Sequence, residues 1–397
     1  MATNNNNKTL NVPHLRFPEF TGEWKRVELK DVAEFQKSRI PADGLDESCY
    51  ISTENLIPNF GGIKEAFSIP TNGNVMAIKP NDILISNIRP YLKKVWQSDR
   101  FGGCSADVFV LRSTGCQSDF LYNIIASDKF INYAMSGVKG VKMPRGDKRQ
   151  MEEFEFSIPA IEEQNRISRL LNLLDERIAT QNKIIEKYES LIQAMCDTLI
   201  ESQHKVELSF NDFGEPYSGL SGKSAEDFGE GWPYITYMNV YQNQIIDTTD
   251  VGLVKINVTE QQSVVRYGDI LFTLSSETPN EVGMGAVYLG DSYPLYLNSF
   301  CFGVHIIDES KIFPPFLAYY ISTKSFRKAV SPLAQGSTRF NLQKSDFMKK
   351  MFLFPTVEKQ NKIYTALKAY SDKLSIEKNI AKLLCEQKSY LLRQLFI

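Results

Sequence analysis

Two kinds of stretch in this 397-residue chain carry side chains suited to recognition chemistry. In the first, Lys139, Lys142, Arg145, Lys148 and Arg149 stand against one carboxylate, Asp147. Gly140, Pro144 and Gly146 break any regular element there, so the stretch reads as a loop. A basic loop of this kind can track a phosphate backbone or enter a groove. Farther along, Gln335, Ser337, Thr338, Arg339 and Asn341 surround Gly336. Gln, Arg and Asn are the side chains that pair bidentately with adenine and guanine edges in a major groove. A second pair of candidate stretches follows the triplet Asp-Ile-Leu. After Asp82-Ile-Leu84 come Asn87, Arg89, Tyr91, Lys93 and Lys94. After Asp269-Ile-Leu271 come Thr273, Ser275, Ser276, Thr278 and Asn280. For any one of these residues a solvated surface loop is the plain alternative. Their recurrence at corresponding places in two halves of the chain argues against it for the stretches as wholes.

No catalytic constellation accompanies them. The three histidines, His14, His204 and His305, sit in no recognisable motif. The six cysteines are scattered and form no C-x-x-C pair, so reduced and mostly buried thiols are expected rather than a zinc or redox site. Gly222-Lys223-Ser224 is the nearest approach to a phosphate-binding loop, but the position that needs the first glycine is Tyr217. Asn257-Val-Thr259 spells a glycosylation sequon, read as chance because nothing suggests secretion. No run of 18 apolar residues is present and the first residues are Asn-rich, so neither a membrane span nor a signal core is expected. A cytoplasmic protein with no metal site follows as the expectation.

The elements that must position these loops are set by an internal repeat. Phe156-Ser-Ile-Pro-Ala-Ile-Glu-Glu-Gln-Asn-Arg-Ile167 matches Phe352-Leu-Phe-Pro-Thr-Val-Glu-Lys-Gln-Asn-Lys-Ile363 at an offset of 196 (355 minus 159). The Asp-Ile-Leu triplets match at 187 (269 minus 82), and Tyr50-Ile51 with Asn55 match Tyr234-Ile235 with Asn239 at 184 (234 minus 50). An offset that changes only at loops indicates a duplicated domain. Each copy ends in a heptad pattern. In the first, Ile167, Leu171, Leu174, Ile178, Ile185, Ile192 and Leu199 form the seam, with Gln181 as a polar break. In the second, Ile363, Leu367, Leu374, Leu384, Leu391 and Leu395 do so, with the break at Glu377. Polar seam residues can fix register; the alternative is a seam edge. The first helix carries five basic and eight acidic residues over 161–204, the second eight and four over 357–397, so the two should attract. Antiparallel pairing of helices about 60 Å long would hold two globular parts apart like the ends of a spacer.

The resulting division is a lead-in at 1–20, globular domains at 21–160 and 205–355, and long helices at 161–204 and 356–397. Each globular part mixes short β-rich runs with helical stretches, an α+β or α/β reading. Residues 21–160 hold 18 basic and 18 acidic side chains, and 205–355 hold 12 and 16. Neither has the overall basicity of a stand-alone DNA binder.

These features resemble the specificity subunits of Type I restriction-modification systems. The opening Pro13-His-Leu-Arg-Phe-Pro-Glu-Phe-Thr-Gly-Glu-Trp24 looks like the usual start of such subunits. The Phe-x-x-Pro-x-x-x-x-Gln-x-x-Ile pattern at 156–167 and 352–363 looks like the family's signature where each spacer helix begins, and Gly336-Ser-Thr-Arg339 also looks like family. Copy one departs from the last, with Lys142-Met-Pro-Arg145 in its place. The resemblance implies two target-recognition domains separated by a pair of long antiparallel coiled-coil helices. Each domain would read half of a split asymmetric site in double-stranded DNA. Two modification (methyltransferase) subunits would dock and bring S-adenosylmethionine; restriction subunits would bring ATP- and Mg-dependent translocation and cleavage. The chain itself would bind no cofactor and hold no catalytic residue. An enzyme with its own site is the reading the missing motifs oppose. A coiled-coil adaptor that binds no DNA is the other alternative, and it leaves the duplicated domains idle.

Overall fold

Two apolar triplets lie in the interior of separate halves of the chain. Ile83, Leu84 and Ile85, and their counterparts Ile270, Leu271 and Phe272, are at most 2% exposed. Both faces of these strands are therefore covered, which is why they read as continuous apolar runs rather than as alternation. The computed structural model describes residues 11–65, 68–138, 140, 143–201, 205–291 and 293–396. Lys139, Lys142 and His204 lie outside the described residues.

The chain divides into two units: Met1–Gln181 with Ile380–Ile397, and Asn182–Asn379. Each is built on the same plan. In unit 1 a four-stranded sheet runs in the order Ala33–Phe35, Val108–Ser113, Ile83–Ser86, Val95–Gln97. In unit 2 the order is Gly214–Ser218, Cys301–Ile306, Ile270–Thr273, Gly285–Val287. Every neighbouring pair in both sheets is antiparallel. A two-stranded ribbon closes each globular part, joining Lys25–Glu28 to Glu155–Ile158 and Lys205–Ser209 to Met351–Pro355. The Tyr-Ile anchors of the repeat make matching parallel pairs, Tyr50–Ile51 with Gly103–Cys104 and Tyr234–Ile235 with Tyr296–Leu297. Helices follow in a block, Ser118–Ile125 with Asp128–Ser136 and Pro314–Tyr320 with Lys324–Val330. Sheets that are chiefly antiparallel, with helices segregated along the chain, make each part α+β; α/β would need helical crossovers between parallel strands.

The repeated signature has a structural reason. The Gln164 amide nitrogen donates to the Pro159 carbonyl, and its oxygen accepts the backbone N–H of Gln117 at 2.8 Å. Gln360 does the same with the Pro355 carbonyl and the Phe313 N–H, also at 2.8 Å. Both glutamines are buried. One side chain thus ties the first turn of the long helix to the start of the preceding helical block. The opening motif acts at the same point in unit 1. Arg16 donates two hydrogen bonds to Glu163, at 2.8 and 2.7 Å, and the Trp24 indole N–H donates a third to the same carboxylate.

The long helices are Ile161–Glu201 and Val357–Leu395. Within unit 1, Ile167 and Leu171 share a core with Leu395, and Leu391 and Leu392 pack against it. The Lys388 ammonium there donates to Asp175 at 2.6 Å. Within unit 2, Ile192, Cys196 and Ile200 share a core with Ile363 and Leu367, and Lys378 pairs with Glu189 at 2.7 Å. In each unit the helical segments run antiparallel. Leu174 and Leu384 are buried, while Ile178, Ile185, Leu199, Leu374 and Leu391 are half-buried. Burial steps from Ile192 to Cys196 to Ile200, the drift expected when 3.6 residues per turn meets a heptad. Gln181 and Glu377 are each 8% exposed, so neither lies on an open seam edge. The Glu377 carboxylate takes the Lys373 ammonium at 2.7 Å.

Candidate nucleic-acid interface

A carboxylate anchors the start of the central strand in each unit. Asp82 accepts the backbone N–H of Lys79 and two hydrogen bonds from Arg112, both at 2.7 Å. A third Arg112 nitrogen donates to Gln36. Asp269 accepts the Arg266 N–H and the Tyr217 hydroxyl, each at 2.8 Å, and His305 Nδ1 lies 2.9 Å from it. The His305 ring stacks on Tyr217 at 4.1 Å. Burial and the neighbouring Asp269 push the Tyr217 hydroxyl pKa well up. His305 is therefore part of a buried strut, at the place that Arg112 fills in the other unit.

From these anchored strands the candidate loops emerge, and in each unit the two loops meet. In unit 1, Ile88 bridges Arg145; the Arg89 N–H donates to the Pro144 carbonyl at 2.9 Å, and the Gly146 N–H to the Asn87 carbonyl at 3.1 Å. In unit 2, Ser275–Ser276 pairs with Phe340–Leu342, which in turn pairs with Ala334–Gln335. Ser275 faces Asn341 there. The bridged pairs Ile88/Arg145 and Ser275/Asn341 stand at the repeat's own offsets, 187 (275 minus 88) and 196 (341 minus 145). Structural register therefore equates Arg145 with Asn341, and Met143, not Arg145, with Arg339.

Exposure sorts the candidates. In unit 1, Arg89, Tyr91, Arg145 and Arg149 face solvent. Lys93 pairs with Asp128 at 2.7 Å, and Lys94 donates to the Thr53 carbonyl at 2.6 Å. Burial holds the Lys94 ammonium pKa below the usual lysine value. Lys148 stands over the rings of Phe109 and Phe35, at 4.7 and 5.4 Å. Asn87 is half-buried, and its Oδ1 has no hydrogen-bond partner among the described residues. In unit 2, Gln335, Ser337, Thr338, Arg339 and Asn341 are exposed. Thr273 and Ser276 are buried, so as placed they present nothing to a duplex, because each belongs to a paired strand. Ser275 is half-buried. Thr278 donates to Glu281 at 2.8 Å within its own turn, and Asn280 Oδ1 accepts from Ser331 at 3.0 Å, tying that turn to a distant segment. Lys223, the lysine of the phosphate-loop look-alike, pairs with Glu260 and is not free for a phosphate.

Backbone conformation sets the unit 1 loops apart. Arg89 (φ 52°), Lys93 (φ 55°), Asn59 (φ 56°) and Phe60 (φ 59°) are left-handed without being glycine. They form one cluster, since the Asn59 N–H donates to the Leu92 carbonyl and the Phe60 N–H to the Lys93 carbonyl. Such conformations are held only when the surroundings over-determine them, and they gather at binding sites.

Sequence reasoning missed the walls of a cleft of about 450 Å³ beside the unit 2 loops. Tyr237, Met238, Tyr241 and Phe300 line it, with Glu277, Glu281 and Arg339. Tyr237 and Tyr241 stack at 6.0 Å on a short helix, Tyr237–Gln242. Their spacing of four residues places both on one helix face, and that signal is present in the sequence.

The family profile for the Type I restriction modification DNA specificity domain matches residues 21–190 and again 218–385. The chain is 24% identical over 402 residues to the specificity subunit of the Type I restriction enzyme MjaVIII of Methanocaldococcus jannaschii, covering 92% of this chain and 89% of that one. It is 23% identical over 217 residues to the EcoDI specificity subunit of Escherichia coli, covering 52% of this chain and 47% of that one. The fold is similar to the S subunit of M. genitalium, with a TM-score of 0.57, 17% identity and coverage of 97% and 99%. It is also similar to a chain from a study of the assembly and conformational transition of the type I R-M system, with a TM-score of 0.55, 18% identity and coverage of 93% and 96%. Among the described residues no helix is long and apolar enough to cross a membrane. Two copies of the specificity domain, spanning most of the sequence, leave the adaptor alternative without support: the chain belongs to the family of Type I restriction-modification specificity subunits.

Proposed function

We propose that the chain reads a bipartite, asymmetric site in double-stranded DNA, one half with each unit. The readers in unit 1 are Arg89, Tyr91, Arg145 and Arg149, with Asn87 positioned behind them. In unit 2 they are Gln335, Ser337, Thr338, Arg339 and Asn341. The observation that supports this most is the meeting of the two candidate loops in each unit, at the repeat's own offsets. Stretches more than 50 residues apart in sequence thereby form one surface in each unit. The loops differ in character. Unit 1 offers several cations, suited to phosphates and guanine; unit 2 offers amides, hydroxyls and one guanidinium, suited to base edges.

Family membership and charge support a reading of the rest of the assembly. Two modification subunits would add phosphate contacts that domains without net positive charge lack, and would supply S-adenosylmethionine and the adenine-methylating site. Restriction subunits would supply the ATP- and Mg-dependent steps. The long paired helices would set the unread gap between the half-sites. Methylation of a paired adenine requires that base to leave the stack, so this chain's part is positioning rather than chemistry.

A binding selection tests the reading. The full chain, co-expressed with the modification subunit of its own system, is offered random duplexes. A split motif is expected. Arg145→Ala with Arg149→Ala should weaken binding to all sequences and flatten its salt dependence by about one ion for each phosphate no longer neutralised. Enrichment of no motif by a stable complex would contradict it.

A further inference from the structure

The unit 2 cleft is lined by an acid and a guanidinium that form no ion pair with a described residue. Glu281 is engaged, accepting from the Thr278 and Tyr241 hydroxyls at 2.8 Å each. Those bonds hold its carboxyl below the ordinary glutamate range. Glu277 is different. It is exposed on the cleft, and no described residue donates a hydrogen bond to it or pairs with its charge. Arg339 is exposed in the same cleft and likewise forms no ion pair with a described carboxylate. Phe300 is 58% exposed and Met238 46%, large apolar surfaces left open beside these charges.

A carboxylate on a DNA-facing surface is repelled by phosphates, so it weakens binding unless a donor meets it. The donor that a carboxylate accepts from in the major groove is the N4 amino group of cytosine, and the guanidinium's bidentate partner is guanine O6 with N7. The apolar walls would exclude water from both contacts and so strengthen them. Unit 1 has no such set among its described residues. By register Met143 stands where Arg339 does, and Asp107, a carboxylate beside that surface, is 3.4 Å from Arg145.

We infer that the cleft between Tyr237–Gln242 and the Gln335–Asn341 hairpin is a G·C reader, with Glu277 accepting from cytosine N4 and Arg339 donating to guanine. Glu277 is then a specificity-determining residue of unit 2, and Phe300 and Met238 shield the contact. This inference rests on the proposed DNA-reading role of unit 2 and adds the identity of a base pair in its half-site.

The test is the same selection with the full chain in complex with its modification subunit. The wild type should enrich a motif with a C·G pair in one half. Glu277→Ala should relax the cytosine preference by roughly tenfold or more, the scale of one good base contact. Glu277→Gln should move that position toward adenine, the base a glutamine reads. Arg339→Ala should relax a guanine in the same half, and the other half should not change. Three outcomes overturn the inference while leaving DNA reading intact. One is an unchanged motif in all three variants. Another is a uniform gain in affinity for Glu277→Ala, which would mean repulsion alone. The third is an A·T pair at the Glu277-dependent position of the wild type. A wild type that enriches no motif overturns both the reading and the inference.

Discussion

Lys223, Arg112 and Arg327 direct their charge into the fold. Arg327 donates to the carbonyls of Gly283, Asn280 and Val282, each at 2.7 Å, and so holds the turn behind the unit 2 loops. Residue type alone does not distinguish these cations from Arg145 or Arg339, which face solvent. The partner decides, and a partner distant in sequence is invisible in it. The Lys223–Glu260 pair gives a measurable consequence. The hydrogen bond from Lys223, assisted by Gln262 and Asn257, lowers the Glu260 carboxyl from 4.5 to about 2. A carboxyl with a lower pKa folded than unfolded adds stability in full above its unfolded value, and that share declines as pH falls toward the folded value. Between about pH 5.5 and about pH 3.5 the wild type should therefore lose more of its denaturation midpoint than Lys223→Met does. Equal losses would show that the pair does not act in folding. The aromatic residues of the cleft escape sequence reasoning for a different reason: tyrosines four apart on a helix read as core until burial is known. Thr273 and Ser276 read as loop residues because strand ends are the least legible boundaries, and here each is the last residue of a strand.

At the scale of elements, the signature glutamines are legible as a pattern but not as a mechanism. Their recurrence locates the start of both long helices. Only the structure shows why the spacing from proline to glutamine is kept: the side chain must reach back to the proline carbonyl and sideways to a helix N-terminus. Gln360→Ala would leave the part-buried Phe313 N–H and the buried Pro355 carbonyl without that partner. At about 1–3 kcal/mol for each unsatisfied group, roughly 2–6 kcal/mol should be lost. Gln360→Glu keeps the acceptor but sets a carboxylate oxygen against the Pro355 carbonyl, so it should not restore stability. Denaturant unfolding of both variants checks this; a neutral alanine variant would mean that water or a backbone shift replaces the glutamine. The heptad seams are legible because they are long and periodic. Strand direction is not, because short apolar runs carry no mark of their partners, and α+β cannot be told from α/β until pairing is seen.

At the scale of the whole molecule, the repeat gives two units with one framework and different loops. Asp82 and Asp269 hold the same strut with different partners, Arg112 (itself tied to Gln36) in one and Tyr217 and His305 in the other. The loops diverge: exposed Arg89 and Arg145 in one unit stand against buried Ser276 and exposed Asn341 in the other. Frameworks that match and loops that do not are what two readers of unrelated half-sites require. On the proposed reading each unit recognises its own half of the site. The most direct measurement is long-read mapping of methylated adenines in cells that express this chain with its modification subunit. It should be repeated without the chain, and again with residues 205–355 exchanged for those of another specificity subunit. One bipartite motif is expected, which vanishes without the chain and changes in one half only after the exchange. A motif that survives loss of the chain, or an exchange that alters both halves or neither, would contradict it.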